Sequence, residues 1–190
     1  MATLTIRLFG YPQFLVNDNP LKITHKKTQA LIAYLTDETR SGRLDNLDQE
    51  GALWGVCPRE ELATLLWPVI PPEKASVYLS QAVLDFNKVA SAEWILKDKH
   101  SIGLNPQMDI RVDVRQFETL RAKWKRGGKE DQDAQSYLIE LVNLYQGEFM
   151  SGFGMRDLDA FENWKAIRAE TLRINLAEVL EDLIQLYSAK

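Results

Sequence analysis

Apolar positions change their spacing several times along this chain, and each change marks an element. Leu4, Ile6 and Leu8 alternate with Thr5 and Arg7, the period of a half-buried strand. Gly10, Tyr11 and Pro12 turn the chain. Phe14 and Val16 predict a second strand, residues 17–19 a hairpin turn, and Leu21 and Ile23 a third strand. A sheet this small needs a helix packed on it. Leu31, Ile32 and Leu35 supply that helix, with Thr24 as its expected N-cap.

Residues 59–89 are the centre of the pattern. Leu62, Leu65, Leu66 and Trp67 give a first helix an apolar face, after an acidic start at Glu60 and Glu61. Pro68, Pro71 and Pro72 interrupt it. Ala75, Leu79, Ala82, Val83 and Phe86 then recur at helical spacing over 73–89. Two short helices joined by a tight turn are the layout of a helix-turn-helix, whose second helix can enter the major groove. Trp94, Ile95 and Leu96, a tip at 97–101 and a return at 102–104 predict a hairpin placed as a wing would be.

The rest of the chain reads as mostly helical. Ile110, Val112 and Val114 alternate, and a helix over 115–125 carries Phe117, Leu120 and Trp124 on one side. Arg121, Lys123, Lys125, Arg126 and Lys129 cluster near its end, where the helix dipole favours cations. Another helix is expected over 131–145, ended by Gly147. Phe149, Met150, Phe153 and Met155 anchor a glycine-rich connection. A last helix should run over 159–187, with Phe161, Trp164 and Ile167 packing early and Val179, Leu180, Leu183, Ile184, Leu186 and Tyr187 left with little chain to cover them. Helix, turn, helix, loop, long helix is a solenoid-like order. The fold expected is therefore α+β, a winged helix-turn-helix over 1–108 followed by an all-α, tetratricopeptide-like domain over 109–190. Residues 37–56, polar and glycine-bearing, read as an insertion between the first two helices.

Charge narrows the function. The formal net charge is −4, which counts against a broadly basic nucleic-acid binder but leaves room for a local patch. One cysteine, Cys57, excludes an intrachain disulfide. With His25 and His100 the only histidines, no metal cluster is expected. No G-x-S-x-G, H-E-x-x-H or phosphate-binding loop occurs, so neither an enzyme nor a cofactor is expected. No apolar run reaches membrane-spanning length and no signal segment opens the chain, so the expected location is the cytoplasm, with no membrane partner.

Four segments, LTIRLFG, KKTQALIAYL, REELATLLWP and KASVYLSQAVLDFNKV, resemble the winged-helix domain of the Streptomyces antibiotic regulatory protein family. IGLNPQMDIRVDVRQFETL and LYQGEFMSGFGMRDLDAFENWKAIRAETLR look like that family's bacterial transcriptional activator domain. The resemblance implies a transcriptional regulator that binds promoter DNA, often as a dimer on direct repeats. It also implies a helical array for protein contacts, and resembles larger regulators in which an NTPase module and further repeats follow. The family's recognition helix usually carries several arginines; here the matching positions are Ser76, Ser80, Asp85 and Asn87.

The candidate DNA contacts are therefore Lys74, Gln81, Asn87 and Lys88 on the second helix. His25, Lys26, Lys27, Lys97 and Lys99 are candidates for phosphates. The partners expected are double-stranded promoter DNA and, through the C-terminal helices, a protein partner, further repeat helices or a second copy. The alternative is a regulatory, protein-interaction module of a larger signalling protein that does not bind DNA. It is motivated by the net charge, Asp85 and the missing arginines.

Overall fold

The computed structural model describes residues 2–37, 55–127 and 134–188. Residues 38–54 of the expected insertion, residues 131–133 at the start of the fifth helix, and Lys129 lie outside them. The described residues form six helices and seven short strands, a mixed α/β architecture. By internal packing the chain divides into two units. The first comprises Met1–Thr5, Gln13–Ile110 and Met155–Phe161, and the second Ile6–Pro12, Arg111–Gly154 and Glu162–Lys190.

The opening strand β1 spans Thr3–Arg7, and Leu4 and Ile6 are its buried side chains, as the alternation requires. Strand β2 (Gln13–Val16) pairs antiparallel with β3 (Asn19–Pro20), Val16 opposite Asn19. Asn17 and Asp18 link them, both with positive φ. That is the backbone of a two-residue hairpin turn, and Asn and Asp tolerate it. The predicted third strand at Leu21 and Ile23 is shorter and earlier than expected. The last ladder bond is Leu21 N to Phe14 O at 2.8 Å, and the Ile23 carbonyl goes instead to Gln29 Nε2 at 2.7 Å. Strand β7 (Asp109–Val112) completes this sheet, whose order is β3-β2-β1-β7.

Helix α1 (Lys26–Asp37) starts one residue later than a Thr24 cap would place it. The His25 carbonyl, not that of Thr24, accepts the first helical bond from Gln29 N at 3.2 Å. The strand β4 (Cys57–Pro58) leads straight into α2 (Arg59–Leu66). Trp67 caps α2, its N–H reaching Ala63 O at 2.8 Å. The proline-rich turn then delivers Pro71 as the N-cap and Pro72 as the first residue of α3 (Pro72–Val89). Proline suits that place, since the first helical N–H has no partner anyway.

Helix α3 buries Ala75, Leu79, Ala82, Val83 and Phe86, the stripe read from spacing, and packs on α1, α2 and β5. Each of the larger three contributes about 1.5–3 kcal/mol by burial. The expected hairpin follows directly. β5 (Ile95–Lys97) pairs antiparallel with β6 (Ser101–Leu104), Ile95 opposite Leu104. β4 adds to the other side of β6, with Cys57 opposite Ile102. Trp94, fully buried just before β5, donates Nε1–H to Ala90 O at 3.2 Å.

The second unit holds α4 (Asp113–Gly127), α5 (Ala134–Leu144) and most of α6 (Asp159–Ser188). Val114 falls inside α4 rather than in the strand before it. The reason is Asp113, which opens the helix and accepts from Leu8 N and Phe9 N at 2.9 and 3.0 Å and from Val114 N at 2.7 Å. Phe9 stacks edge-on against Phe117 and lies against Tyr145, and Phe149 meets Trp164. α4 and α6 are laced by Glu118–Arg168, Arg121–Glu178 and Lys125–Glu178 pairs and by Trp124 Nε1–H to Asp182 at 2.6 Å. Ile167 does not pack early in α6 as expected. It is 61 % exposed, one helical position off the line of Phe161, Leu172 and Val179, and Val179, expected to lack cover, is buried because it continues that line.

Burial pushes the Asp113 carboxyl above the usual carboxylate range, and the N–H bonds from Leu8, Phe9 and Val114 pull the other way. A carboxyl with a raised folded-state pKa holds its proton longer when folded than unfolded, so its contribution to stability falls as pH rises through that pKa. Asp113→Asn should therefore gain on wild type as pH rises across the acid range, measured by urea unfolding. A gain on lowering pH would contradict the assignment. Asp113→Ala, which strands buried main-chain donors, should cost about 1–3 kcal/mol at any pH.

Candidate nucleic-acid interface

The outward side of α3 is what the buried stripe leaves over. Lys74, Gln81 and Lys88 are exposed there, together with Val77, Tyr78 and Leu84. Gln81 Nε2 donates to Asp85 Oδ1 at 2.7 Å, so the one carboxylate in the middle of this side is engaged by a neighbouring amide. The helix carries Glu73 and Asp85 against Lys74 and Lys88, a balance of zero formal charge.

Asn87 has a different place. Its Nδ2 donates to Ile95 O at 2.8 Å, and its Oδ1 accepts from Ile95 N at 3.1 Å. Both halves of the amide are spent on the first hairpin strand. Asn87 therefore fixes where the hairpin leaves α3, and it does not offer its amide to a ligand. Asn105 closes the hairpin's base in a similar way, with its N–H to Trp94 O at 2.8 Å and Nδ2 to Glu93 O at 2.7 Å.

The hairpin tip is built by Asp98. Its carboxylate accepts from His100 N at 2.6 Å, Ser101 N at 2.7 Å and Ser101 Oγ at 2.8 Å. Those bonds, the His100 N–H first, hold the Asp98 carboxyl below the usual carboxylate range. Lys97 and Lys99 are exposed on either side of it. Lys97 Nζ lies 3.4 Å from Ser80 O, so the tip touches α3.

The candidates on α1 are divided. His25 and Lys26 are exposed at its start. Lys27 is half-buried with Nζ 5.2 Å from the centre of the Trp67 ring. Desolvation lowers its pKa, and the ring face supplies part of what water would have given. Lys27 therefore ties α1 to the end of α2.

Sequence reading missed Arg59. Its Nη2 is 2.5 Å from Ser80 Oγ and 3.2 Å from Ser76 Oγ and from Ser76 O, and Nη1 is 3.5 Å from Asp98 O. One side chain thus spans α2, α3 and the hairpin tip. A signal was present: an arginine in the first turn of a helix opposes the dipole, so it needs a reason elsewhere. Ser76 and Ser80, one helical turn apart and so on one side of α3, were the other half of it.

Among the described residues no group of three or more histidine, cysteine or carboxylate side chains is placed to hold a metal ion, and no helix is long and apolar enough to cross a membrane. No protein-family model and no curated protein matches the chain. Among solved structures it is similar to Mycobacterium tuberculosis EmbR, determined in complex with a low-affinity phosphopeptide. The match has a TM-score of 0.67 at 16 % identity and covers 94 % of this chain. It takes in 46 % of the EmbR chain, so this chain spans about half the length of that structure. The likeness is one of fold.

Asn87→Ala should free the hairpin from α3 while leaving the rest of the first unit folded. The expected cost is about 1–3 kcal/mol, for two bonds lost and a main-chain pair left unpartnered. Hydrogen exchange at 95–104 should quicken more than at 79–86. Equal acceleration in both segments would show that Asn87 does not act at the hairpin root.

Proposed function

We propose that this chain is part of a transcriptional regulator that binds promoter DNA, with α3 in the major groove and the β5–β6 hairpin as the wing. The observation that carries the reading is the order α2, proline turn, α3, hairpin, on a fold similar to that of EmbR over nearly the whole chain. In this reading residues 1–108 are the winged-helix DNA reader. Residues 109–190 are a tetratricopeptide-like part that makes protein contacts. Lys74, Gln81 and Lys88 face base edges, where a good bidentate contact discriminates by about 1–3 kcal/mol. Lys97, Lys99, His25 and Lys26 serve phosphates, and Asn87 and Lys27 support the frame.

A second reading is favoured by one observation. Val77, Tyr78 and Leu84 are 65 %, 47 % and 51 % exposed on the same side of α3. Apolar side chains gathered on an outward, charge-balanced helix face suit a protein partner. In that reading the unit is a regulatory docking module and its lysines steer the encounter.

Titrating the chain against duplex DNA from upstream of its own coding region, at about 50 and about 200 mM salt, separates the two. The DNA reading expects binding that weakens steeply with salt. It also expects Lys74→Ala and Lys88→Ala to lose several-fold in affinity with folding intact. No binding at either salt by a folded sample would remove it and leave the protein-docking reading.

The helical part yields its own test. Ile184 is 64 % exposed near the end of α6, with Leu180 and Tyr187 exposed beside it. If this end binds a partner helix or a second copy, Ile184→Asp should abolish concentration-dependent growth in mass by light scattering. Unchanged mass in wild type at every concentration would remove self-association from the reading.

A further inference from the structure

We propose that Arg59 and Lys97, which meet at Ser80, form a clamp for one backbone phosphate of duplex DNA, a site that rests on the DNA-binding reading above. The Ser80 hydroxyl donates to Ser76 O at 2.9 Å and serves to seat Arg59. Arg59 is rooted at the start of α2, where its main-chain N–H bonds His100 O at 2.9 Å. Its guanidinium crosses to α3 and lies 2.5 Å from Ser80 Oγ. Lys97, from the hairpin, brings its ammonium to the same residue, 3.4 Å from Ser80 O. Two cations from two elements thus converge on one serine.

Among the described residues neither cation forms an ion pair. Asp98, the neighbour of Lys97, turns its carboxylate into its own tip, on His100 N, Ser101 N and Ser101 Oγ. Glu60, the neighbour of Arg59, is exposed and makes no ion pair with it. Converged like charges repel unless an anion sits with them. Donors remain for one. Arg59 Nε has no acceptor among the described residues, and Nη1 reaches Asp98 O only at the 3.5 Å limit of a hydrogen bond. With Nη2 held by the serines, the N–H groups of Nε and Nη1 are the ones left for phosphate oxygens, and the Lys97 ammonium adds a point charge. The place fits a DNA phosphate in particular. Backbone phosphates border the groove that the second helix of such a unit occupies, and contacts to them set the register of the protein on the duplex. Arg59 thereby supplies from α2 a cation that α3 itself lacks at Ser80.

Fluorescence anisotropy of the full chain with a labelled duplex of about three helical turns, across a salt series, tests the clamp. Arg59→Gln should flatten the slope of log affinity against log salt by about 0.9, the share of one phosphate. It should weaken specific and scrambled duplexes by the same factor. Lys97→Ala, on the exposed tip, should flatten the slope in the same sense without touching the fold. Adding it to Arg59→Gln should flatten the slope by less than the two separate changes together, since both cations serve one phosphate. Lys123→Ala, on α4, should leave the slope as in wild type. A wild-type slope in both Arg59→Gln and Lys97→Ala overturns the clamp while the DNA reading stands. A lower melting temperature in Arg59→Gln with a wild-type slope also overturns it, and makes Arg59 purely a brace. Absence of any binding by wild type overturns the DNA reading itself, and the clamp with it.

Discussion

The seating of α3 on a single apolar stripe decides what the first unit presents. Leu79, Val83 and Phe86, with Ala75 and Ala82, go inward against α1 and α2. Each large side chain contributes about 1.5–3 kcal/mol by that burial. Rotation of the helix about its axis is therefore fixed. Lys74, Gln81, Lys88, Val77, Tyr78 and Leu84 face outward as its complement. The hairpin is then referenced to the same helix twice, by Asn87 at its root and by Lys97 and Arg59 near its tip. A change that turns α3 moves every candidate contact together.

Electrostatics then weigh the two functions. The chain's formal charge is −4 and α3 itself is balanced, so no long-range field of the whole chain draws it to DNA. The positive charge is local, drawn from α2, the hairpin and the start of α1. Nucleic-acid affinity of this kind depends on a few phosphate contacts and falls quickly with salt. Tyr78 and Leu84 offer apolar area in compensation. On DNA such side chains meet thymine methyl groups, and on a protein they fill a pocket. The same face suits either of the two proposed partners, and the cations around it are what support the DNA proposal.

Periodicity carried much of the fold. The buried stripe of α3 is the one that the spacing of Ala75, Leu79, Ala82, Val83 and Phe86 predicts, and the hairpin follows that helix as expected. Where the reading slipped, a specific bond explains it. β3 stops short of Ile23, whose carbonyl accepts from Gln29 Nε2 rather than from a strand. Asp113 pulls Val114 into α4 by gathering the N–H groups of Leu8, Phe9 and Val114. Ile167 points outward because one residue's shift on a helix turns a side chain by about 100°. The candidate interface was less legible. Residue type marked Asn87 as a base reader, but its amide is spent on Ile95, a contact that spacing does not reveal. Lys27 was grouped with its neighbours, yet the Trp67 ring claims it. Arg59 escaped notice because its role depends on two serines and a turn from other elements.

Amide chemical-shift mapping during titration with upstream duplex DNA shows whether α3 is the surface that meets DNA. The largest shifts are expected along the outward side of α3, at Lys74, Gln81 and Lys88, and at Lys97 and Lys99 on the hairpin tip. The buried stripe should move little. Shifts confined to α5 and α6, or none anywhere at low salt, would contradict the claim that α3 is the surface that meets DNA.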